Sequence, residues 1–338
     1  MSLKDTSLQD AKATVRRFNE ALDGAVPAEL DAVMARACSP SFRWRGVHPF
    51  GEHTGPGKVV DVFWRPFREA FSSVQRREDI FLAGDNRLAA DGGHWVVAMG
   101  HLMGLFDRPW LGIPPTGRLA FLRYVEFHHV VDAEIVETVL LVDLLSIMEQ
   151  AGVNPLPPST GVSIVTPGPR THDGVMLEPQ DPAEGQRTHE LIIRMVDDLT
   201  SNDVHSPMEE LRRTWHEDML WWGPAGIGAT YTLERYERQH QGPFQSGLEN
   251  IRFEGHGCHV DEGAYGGFFG WPSLTMTASG GFLGMSASER PTEMRLVDLY
   301  RRDGDKLAEN WIFIDLPYFL LRSGLDVLAR MRELREIG

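Results

Sequence analysis

The sequence contains very little cysteine. Its 338 residues include only Cys38 and Cys258, which lie in opposite halves of the chain. Small secreted domains that depend on disulfides use several closely spaced cysteines, so this pattern excludes such a scaffold and favours a reducing compartment. We therefore expect a cytoplasmic protein.

Basic residues are scarce relative to acidic ones. The chain has 33 Lys and Arg against 48 Asp and Glu, a formal net charge of −15, with the acidic excess spread over both halves. Proteins that bind nucleic acid attract its phosphates with a basic face. Nucleic acid is therefore not an expected partner.

Long apolar runs are missing as well. No stretch approaches the roughly 18 uninterrupted apolar residues that a membrane-spanning helix needs, and residues 1–7 lack the apolar centre of a secretory signal. Apolar residues nevertheless make up 42% of the chain, enough for a large core. The composition predicts a globular protein without a membrane segment.

A proline-rich segment divides the chain. Seven prolines lie within residues 154–184, among Gly, Ser, Thr and Gln, and this composition is typical of a stiffened linker. About 150 residues remain on either side, the size of one compact domain. We expect a first domain at 1–153, a linker at 154–184 and a second domain at 185–338.

The two domains read as copies of one unit. Identical residues recur at offsets that fall from 177 to 172 positions along the chain. Three pairs illustrate this: Trp44 and Trp221, Trp95 and Trp271, Asp143 and Asp315. The order of these pairs, with the linker between the copies, predicts a tandem duplication.

Each half shows helical periodicity first and strands afterwards. Helices are predicted near 10–22, 27–37 and 59–71, and again near 190–199, 207–215 and 233–241. Runs rich in Val, Ile, Phe and Tyr follow, and Asp303-Gly304 marks the clearest hairpin turn. Helices followed by antiparallel strands indicate an α+β fold.

Two segments point to a family. Residues 293–301 and 306–311 form a hairpin of characteristic sequence in the second half, and residues 112–118 of the first half read Gly-Ile-Pro-Pro-Thr-Gly-Arg. Both resemble the SnoaL-like polyketide cyclases of the nuclear transport factor 2-like superfamily. The resemblance implies two cone-shaped domains, each a curved antiparallel sheet wrapped around three helices with a deep apolar pocket.

The resemblance also implies a catalytic carboxylate. In these cyclases an acid on a sheet strand serves as general acid/base in an aldol-type ring closure without metal or organic cofactor. Asp298 matches this position in the second half, and Glu126, longer by one methylene, matches it in the first. His101 resembles the family's histidine on the preceding strand, where the second half has Thr277.

The residues around Asp298 allow two interpretations. Strand alternation places its side chain on the same face as Tyr300. In an apolar cavity the carboxyl would have a raised pKa, suited to acid/base chemistry near neutrality. The alternative is a solvent-facing acid paired with Arg301 or Lys306.

Aromatic side chains are the expected pocket walls, because they combine large area with a polar handle. The candidate substrate-binding residues are Trp44, Trp221, Trp222, Tyr300, Trp311 and His128. Ordinary core packing is the alternative for each tryptophan. His128 shares a strand face with Glu126, so the two are expected to form a hydrogen bond that holds the carboxylate ionised.

A metal site is not expected. His256, Cys258, His259 and Asp261 are close in sequence, but zinc sites use spaced clusters, and no matching cluster occurs elsewhere in the chain. On a strand, His256 and Cys258 would share one face and His259 would lie on the other.

The sequence thus predicts a protein that binds a small, largely apolar, oxygenated molecule and performs cofactor-free acid/base chemistry on it. Enolisation beside a carbonyl would lead to ring closure, isomerisation or elimination, and the sequence does not distinguish these three outcomes. The alternative is a non-catalytic small-molecule binding protein. One half would then be the structural partner of the other in an intramolecular pseudo-dimer, and a further homodimer stays open.

Overall fold

The computed structural model of the chain describes residues 7–201 and 206–337, so residues 1–6 of the polar N-terminal stretch lie outside it. The chain divides into two units. Unit 1 comprises Met1–Gly152 with Pro167–Pro179, and unit 2 comprises Val153–Thr166 with Gln180–Gly338. The proline-rich segment is therefore shared between the units. No helix in the described ranges has the length and apolar character needed to cross a membrane.

Unit 1 begins with helices and continues with a six-stranded sheet. Its helices are α1 Leu8–Gly24, α2 Leu30–Ala37, α3 Pro56–Val59, α4 Arg65–Ala70 and α5 Leu144–Gln150, with a π-helical turn at Val60–Trp64. Its strands are β1 Cys38–Gly46, β2 Gly51–Thr54, β3 Phe71–Gly84, β4 His94–Phe106, β5 Leu119–Val131 and β6 Glu134–Val142. The sheet order is β2-β1-β6-β5-β4-β3.

Unit 2 repeats this arrangement. Its helices are α6 Pro182–Ser201, α7 Met208–Thr214, α8 Leu233–Tyr236, α9 Gly242–Gly247, α10 Leu316–Arg322 and α11 Val327–Ile337, with a π-helical turn at Glu237–Gln241. Its strands are β7 Trp215–Trp222, β8 Thr230–Tyr231, β9 Leu248–Phe253, β10 Cys258–Glu262, β11 Tyr265–Ala278, β12 Thr292–Asp303 and β13 Lys306–Ile314.

The strand order of unit 2 matches that of unit 1. It runs β10-β11-β12-β13-β7-β8, and β9 also pairs with β11, so β9 and β10 together take the place of β3. The α+β fold in two tandem domains is thus confirmed. The sheets are not wholly antiparallel, however, because β1 runs parallel to β6 and β7 runs parallel to β13.

Local sequence explains the first helix. The side chain of Ser7 accepts a hydrogen bond from the backbone of Asp10, and the Asp10 carboxylate accepts one from the backbone of Ser7, which forms a capping box. Val15, Phe18 and Leu22 follow at three- and four-residue spacing and are buried. The apolar stripe that predicts this helix is therefore the stripe that packs into unit 1.

Both units end the sheet in the same way. Asp143 follows β6 and accepts a hydrogen bond from the backbone of Ser146 at 3.0 Å, which caps α5. Asp315 follows β13 and caps α10 through the backbone of Tyr318 at 3.2 Å. A side-chain cap stabilises a helix by about 1 kcal/mol. The recurrence of this aspartate therefore has a structural explanation.

Two matches between the halves are wrong: Thr277 is not equivalent to His101, because Leu102 next to it corresponds to Leu274, and Trp271 is not equivalent to Trp95. Trp95 pairs with His129 across β4 and β5, and the residue 172 positions after His129 is Arg301. Arg301 pairs with Tyr265, so Tyr265, not Trp271, occupies the position of Trp95. The reason is a register shift within β11, which sequence identity alone does not reveal.

Candidate functional site

A cavity of about 110 Å³ lies in unit 2 between the sheet and the helices. Apolar side chains of α6, α7, α9 and of the strands β7, β11, β12 and β13 form most of its wall. Its hydroxyl, imidazole, amide and carboxyl groups include those of Tyr236, His240, Asp298, Tyr300 and Asn310. The volume approaches that of a cavity that accepts a single benzene ring, about 150 Å³.

The strands bring the polar groups of this cavity together. Asp298 and Tyr300 are two positions apart on β12, so their side chains point to the same face of the sheet. Asn310 lies directly opposite Tyr300 on β13. The interpretation of Asp298 as a pocket acid depended on this alternation, and the structure places Asp298 in the cavity.

The carboxyl of Asp298 is buried with neutral partners. The side-chain amide of Asn310 donates a hydrogen bond to Oδ1 of Asp298 at 2.9 Å. Burial raises the pKa of Asp298 to about 7, although hydrogen bonds from Asn310 and Tyr300 act in the opposite direction. At neutral pH this group therefore exchanges a proton readily.

The solvent-facing alternative for Asp298 is excluded by its neighbours. Arg301 is buried and pairs with Glu309 at 2.5 Å, and Lys306 donates to the backbone carbonyl of Arg212 at 2.8 Å. Among the described residues, no lysine or arginine forms an ion pair with Asp298. The absence of a cation is consistent with the raised pKa.

Two of the predicted aromatic residues line the cavity. Trp221 stacks on His240 with ring centroids 3.9 Å apart and an interplanar angle of 22°. Tyr300 packs against Trp215, with ring centroids 5.8 Å apart. These rings form a wall next to the carboxyl of Asp298.

Trp222 and Trp311 are not among the lining residues. Trp222 follows Trp221 directly on β7, and Trp311 lies between two lining residues of β13, Asn310 and Ile312. Because successive strand residues point to opposite faces, both indoles lie on the far side of the sheet from the cavity. The assignment of a substrate-binding role to them is therefore corrected to core packing.

In unit 1, Glu126 forms an ion pair with Arg76. Nη1 of Arg76 lies 2.7 Å from Oε2 of Glu126, and Nε of Arg76 lies 3.4 Å from Oδ2 of Asp23. The guanidinium also lies over the ring of Tyr124, 4.8 Å from its centroid. Both Arg76 and Glu126 are almost fully buried. A buried pair of this kind is costly to break.

The pair changes the protonation of Glu126. Burial by itself would raise its pKa, but the charges of Arg76 and His128 outweigh burial and lower the pKa to about 2. Glu126 is therefore ionised throughout the neutral range. A carboxylate held in this way is poorly suited to accept and return a proton near pH 7.

His128 and Trp44 lie in unit 1 as well. Nε2 of His128 is 3.5 Å from Oε2 of Glu126, at the limit of a hydrogen bond, and its Nδ1 is 2.8 Å from the hydroxyl of Thr138. His128 is therefore close to Glu126, as expected, but Arg76 makes the shorter contact. Trp44 packs in an aromatic cluster with Phe63, ring centroids 5.9 Å apart.

His101 does not join Glu126. Across β4 and β5, Ala98 pairs with Glu126 and His101 pairs with Arg123. Three positions separate Ala98 from His101, so His101 points to the opposite face of the sheet. There its Nδ1 lies 3.5 Å from Oδ2 of Asp79. His101 is a candidate catalytic residue by the family resemblance, but the strand alternation keeps it away from Glu126 and from any pocket that Glu126 lines.

The histidines near β10 form a hydrogen-bonded pair. Nδ1 of His256 lies 2.7 Å from Nε2 of His259, and burial lowers the pKa of His256 to about 3 and that of His259 to about 4. Both rings stack on Phe268, with centroids 3.7 and 4.9 Å away. Over the described part of the chain, no group of three or more His, Cys, Asp and Glu is arranged to hold a metal ion.

The sequence did not identify Asn310, Arg76, Tyr236 and His240 as residues of these sites. The sequence holds a signal for the last two. The offset of 177 positions that relates Trp44 to Trp221 also relates Val59 to Tyr236 and Phe63 to His240, so each polar residue replaces an apolar one of the first half. No comparable signal identified Arg76, because its partner Glu126 lies two strands away in the sheet.

Comparison with solved structures finds chains that align with about half of this one. A proposed SnoaL-like polyketide cyclase from Jannaschia sp. CCS1 is 22% identical and covers 47% of this chain and 99% of its own, with a TM-score of 0.34. IdmH from Streptomyces antibioticus, a proposed polyketide cyclase, is 20% identical, covers 41% and 99%, and has a TM-score of 0.33. No curated protein matches the chain.

The family comparison concerns unit 1. Residues 13–151 match the family model of the SnoaL-like polyketide cyclases. These residues run from within α1 to just beyond α5 and include the whole first sheet. The chain is thus SnoaL-like in its first half by sequence, and its second half repeats the same strand order.

Proposed function

We propose that unit 2 binds a small, largely apolar carbonyl compound and catalyses its enolisation, with Asp298 as general acid/base and without a cofactor. One observation carries the proposal: Asp298 lies in an apolar cavity, hydrogen-bonded to neutral groups and without a cation. Its pKa of about 7 favours proton transfer in both directions at neutral pH.

The chemistry follows from the geometry. The carboxylate of Asp298 takes a proton from the carbon beside the carbonyl, the C–H electron pair forms the enolate, and the carbonyl oxygen gains negative charge. The amide of Asn310 donates to Oδ1 and orients the carboxylate. Return of the proton from Asp298 to another carbon completes an isomerisation, and attack of the enolate on a second carbonyl, with return of the proton to the resulting alkoxide, completes an aldol-type ring closure.

Cavity size restricts the ligand. A volume of about 110 Å³ accommodates roughly one ring. A polycyclic ligand would require the lining side chains to move. One-ring ketones, such as cyclohexenones and acetophenones, are therefore the first substrates to test.

The experiment measures the step that all the outcomes share. One-ring ketones are incubated with the full chain in D₂O, and deuterium incorporation beside the carbonyl is followed by NMR. The natural protein should accelerate exchange for at least one ketone. Asp298→Asn should lower the rate by about 10²- to 10⁴-fold, while ligand stabilisation in a thermal-shift assay persists.

The double variant Arg76→Met/Glu126→Gln is the matched control. It removes the equivalent acid of unit 1 together with its cation, so no buried charge is left unpaired, and it should leave exchange unchanged because the reaction is assigned to unit 2. Exchange that survives in Asp298→Asn would refute the role of Asp298. Thermal stabilisation by ketones without any exchange would instead favour the binding protein considered as the alternative.

A further inference from the structure

The helical segment that faces Asp298 has an unusual turn. Tyr236 ends α8 and His240 lies in the π-helical turn that follows, so both side chains reach the cavity. Their rings are 5.3 Å apart between centroids. A π-helical turn adds a residue to the helical repeat and often occurs at functional sites.

The other polar groups of the cavity already have protein partners. Both N–H donors of the Asn310 side-chain amide are used, one by Oδ1 of Asp298 and one by the backbone carbonyl of Leu299. Tyr300 interacts with Asp298, and the amide of Gln241, in its favourable orientation, pairs with the backbone of Ser206. These groups have little hydrogen-bonding capacity left for a ligand.

Tyr236 and His240 differ from them. Nδ1 of His240 is buried without a hydrogen-bond partner, and none of the described residues forms a hydrogen bond with its ring or with the Tyr236 hydroxyl. Polar groups in a cavity wall that have no protein partner call for an explanation. Nδ1 itself has almost no accessible surface, so the ring would donate to a ligand oxygen in the cavity through Nε2, beside the Tyr236 hydroxyl.

Both groups are neutral donors at pH 7. Burial lowers the pKa of His240 to about 3, so the imidazole is uncharged and keeps one N–H. Burial and the charge of Asp298 raise the pKa of Tyr236, which keeps its hydroxyl protonated. Neutral donors can polarise a carbonyl without competing for the proton that Asp298 removes.

The aromatic surroundings hold the imidazole in place. Trp221 stacks on His240 at 3.9 Å, and Phe244 lies 5.9 Å from it between ring centroids. Donors that are already oriented stabilise developing charge more than donors that must rearrange.

Unit 1 lacks this pair. Tyr236 immediately precedes its π-helical turn and His240 is the fourth residue of that turn; Val59 and Phe63 occupy the same places in unit 1. Both are apolar and completely buried. The hydrogen-bonding pair therefore occurs in the unit whose acid has no cation.

We propose that Tyr236 and His240 form the hydrogen-bonding site for the ligand's oxygen, and that this oxygen belongs to a planar carbonyl compound whose enolate they stabilise. The inference rests on the proposed function. As Asp298 accepts the carbon-bound proton, the pair of electrons from the broken C–H bond moves into the new C=C bond and the carbonyl oxygen becomes negative. Tyr236 and His240 donate to that oxygen.

A binding experiment tests the pair without relying on turnover. Asp298→Asn replaces the acid with a neutral group and provides the background. Phenols of graded acidity, with 4-nitrophenol as the spectroscopic member, imitate the planar enolate, and absorbance shows whether the bound form is the phenolate. Affinity should rise with the acidity of the phenol, and His240→Phe and Tyr236→Phe should each weaken binding about tenfold or more.

The kinetic experiment uses the same substitutions in the natural background. His240→Phe and Tyr236→Phe should each lower kcat for deuterium exchange by about 10²- to 10³-fold, with a smaller change in KM. His240→Asn keeps an N–H donor and should recover part of the loss. Tyr318→Phe removes a hydroxyl that bonds Glu293 outside the cavity and should change neither readout.

The outcomes separate this inference from the proposed function. Unchanged phenol affinity in Asp298→Asn/His240→Phe and Asp298→Asn/Tyr236→Phe, with melting temperatures like that of Asp298→Asn, would overturn the inference even if Asp298 proves essential for exchange. Weakened phenol binding together with no exchange by the natural protein would support the hydrogen-bonding pair and refute the catalytic proposal.

Discussion

The two units carry an acid at the same position of the same strand, and the two acids have opposite properties. Burial and the nearby cation Arg76 leave Glu126 with a pKa of about 2, whereas burial without a cation leaves Asp298 with a pKa of about 7. Both side chains are buried. The difference lies in their neighbours: a charge a few ångströms away outweighs desolvation in one unit and is missing in the other.

A single strand position accounts for much of this difference. Arg76 pairs with Leu102 in unit 1, and in unit 2 the equivalent pair is Phe253 with Leu274. Unit 2 therefore has an exposed phenylalanine where unit 1 has a buried guanidinium. The comparison teaches that two acids at equivalent strand positions can have very different pKa values when their neighbours differ.

Removal of the cation should have the largest effect. Arg76→Met leaves Glu126 buried without its partner, which should lower the free energy of unfolding of unit 1 by about 3–5 kcal/mol. Urea denaturation at pH 7 measures this loss. Arg76→Met combined with Glu126→Gln should recover most of it, and a single variant as stable as the natural protein would contradict the account of unit 1.

Neutralising the acid of unit 2 should raise the free energy of unfolding, whereas removing the cation of unit 1 should lower it. The pKa of Asp298 is raised on folding, so between about pH 4 and pH 7 the folded state binds more protons than the unfolded state, and stability falls as pH rises. Asp298→Asn should therefore increase the free energy of unfolding at pH 8 by at most about 4 kcal/mol, with little gain at pH 4. Urea denaturation at both pH values checks this, and a less stable variant at pH 8 would break the comparison.

The smallest of the three expected effects is the change in the rate of deuterium exchange with pH. Below pH 7, kcat/KM should fall about tenfold per pH unit as Asp298 becomes protonated, and above pH 7 it should level off. Arg76→Met/Glu126→Gln should have the same profile, because Glu126 does not titrate in this range. A rate that stays constant from pH 5 to pH 8 would show that Asp298 is not the base.

Much of the fold was predictable from patterns that are local in sequence. The stripe of Val15, Phe18 and Leu22 indicates α1, and the turn at Asp303-Gly304 indicates the hairpin of β12 and β13. These signals work because helical and strand periodicities are properties of neighbouring residues. That Asp298 shares a strand face with Tyr300 was predictable for the same reason, whereas the direction of that face was not.

Other features needed the assembled sheet. His101 lies on the strand next to that of Glu126, but the register of β4 and β5 puts its side chain on the opposite face. Likewise, Tyr265 rather than Trp271 is equivalent to Trp95, because β11 shifts its register. A displacement of one residue reverses the face of a side chain, and identity at an offset does not detect it.

The sequence by itself determined that this protein has two α+β copies and that each copy has an acid on an inner strand. Only the tertiary structure decided what those acids can do. The pKa of a buried carboxyl depends on charges and donors within a few ångströms, and here these come from other strands of the sheet: Arg76 on β3 for Glu126, and Asn310 on β13 for Asp298.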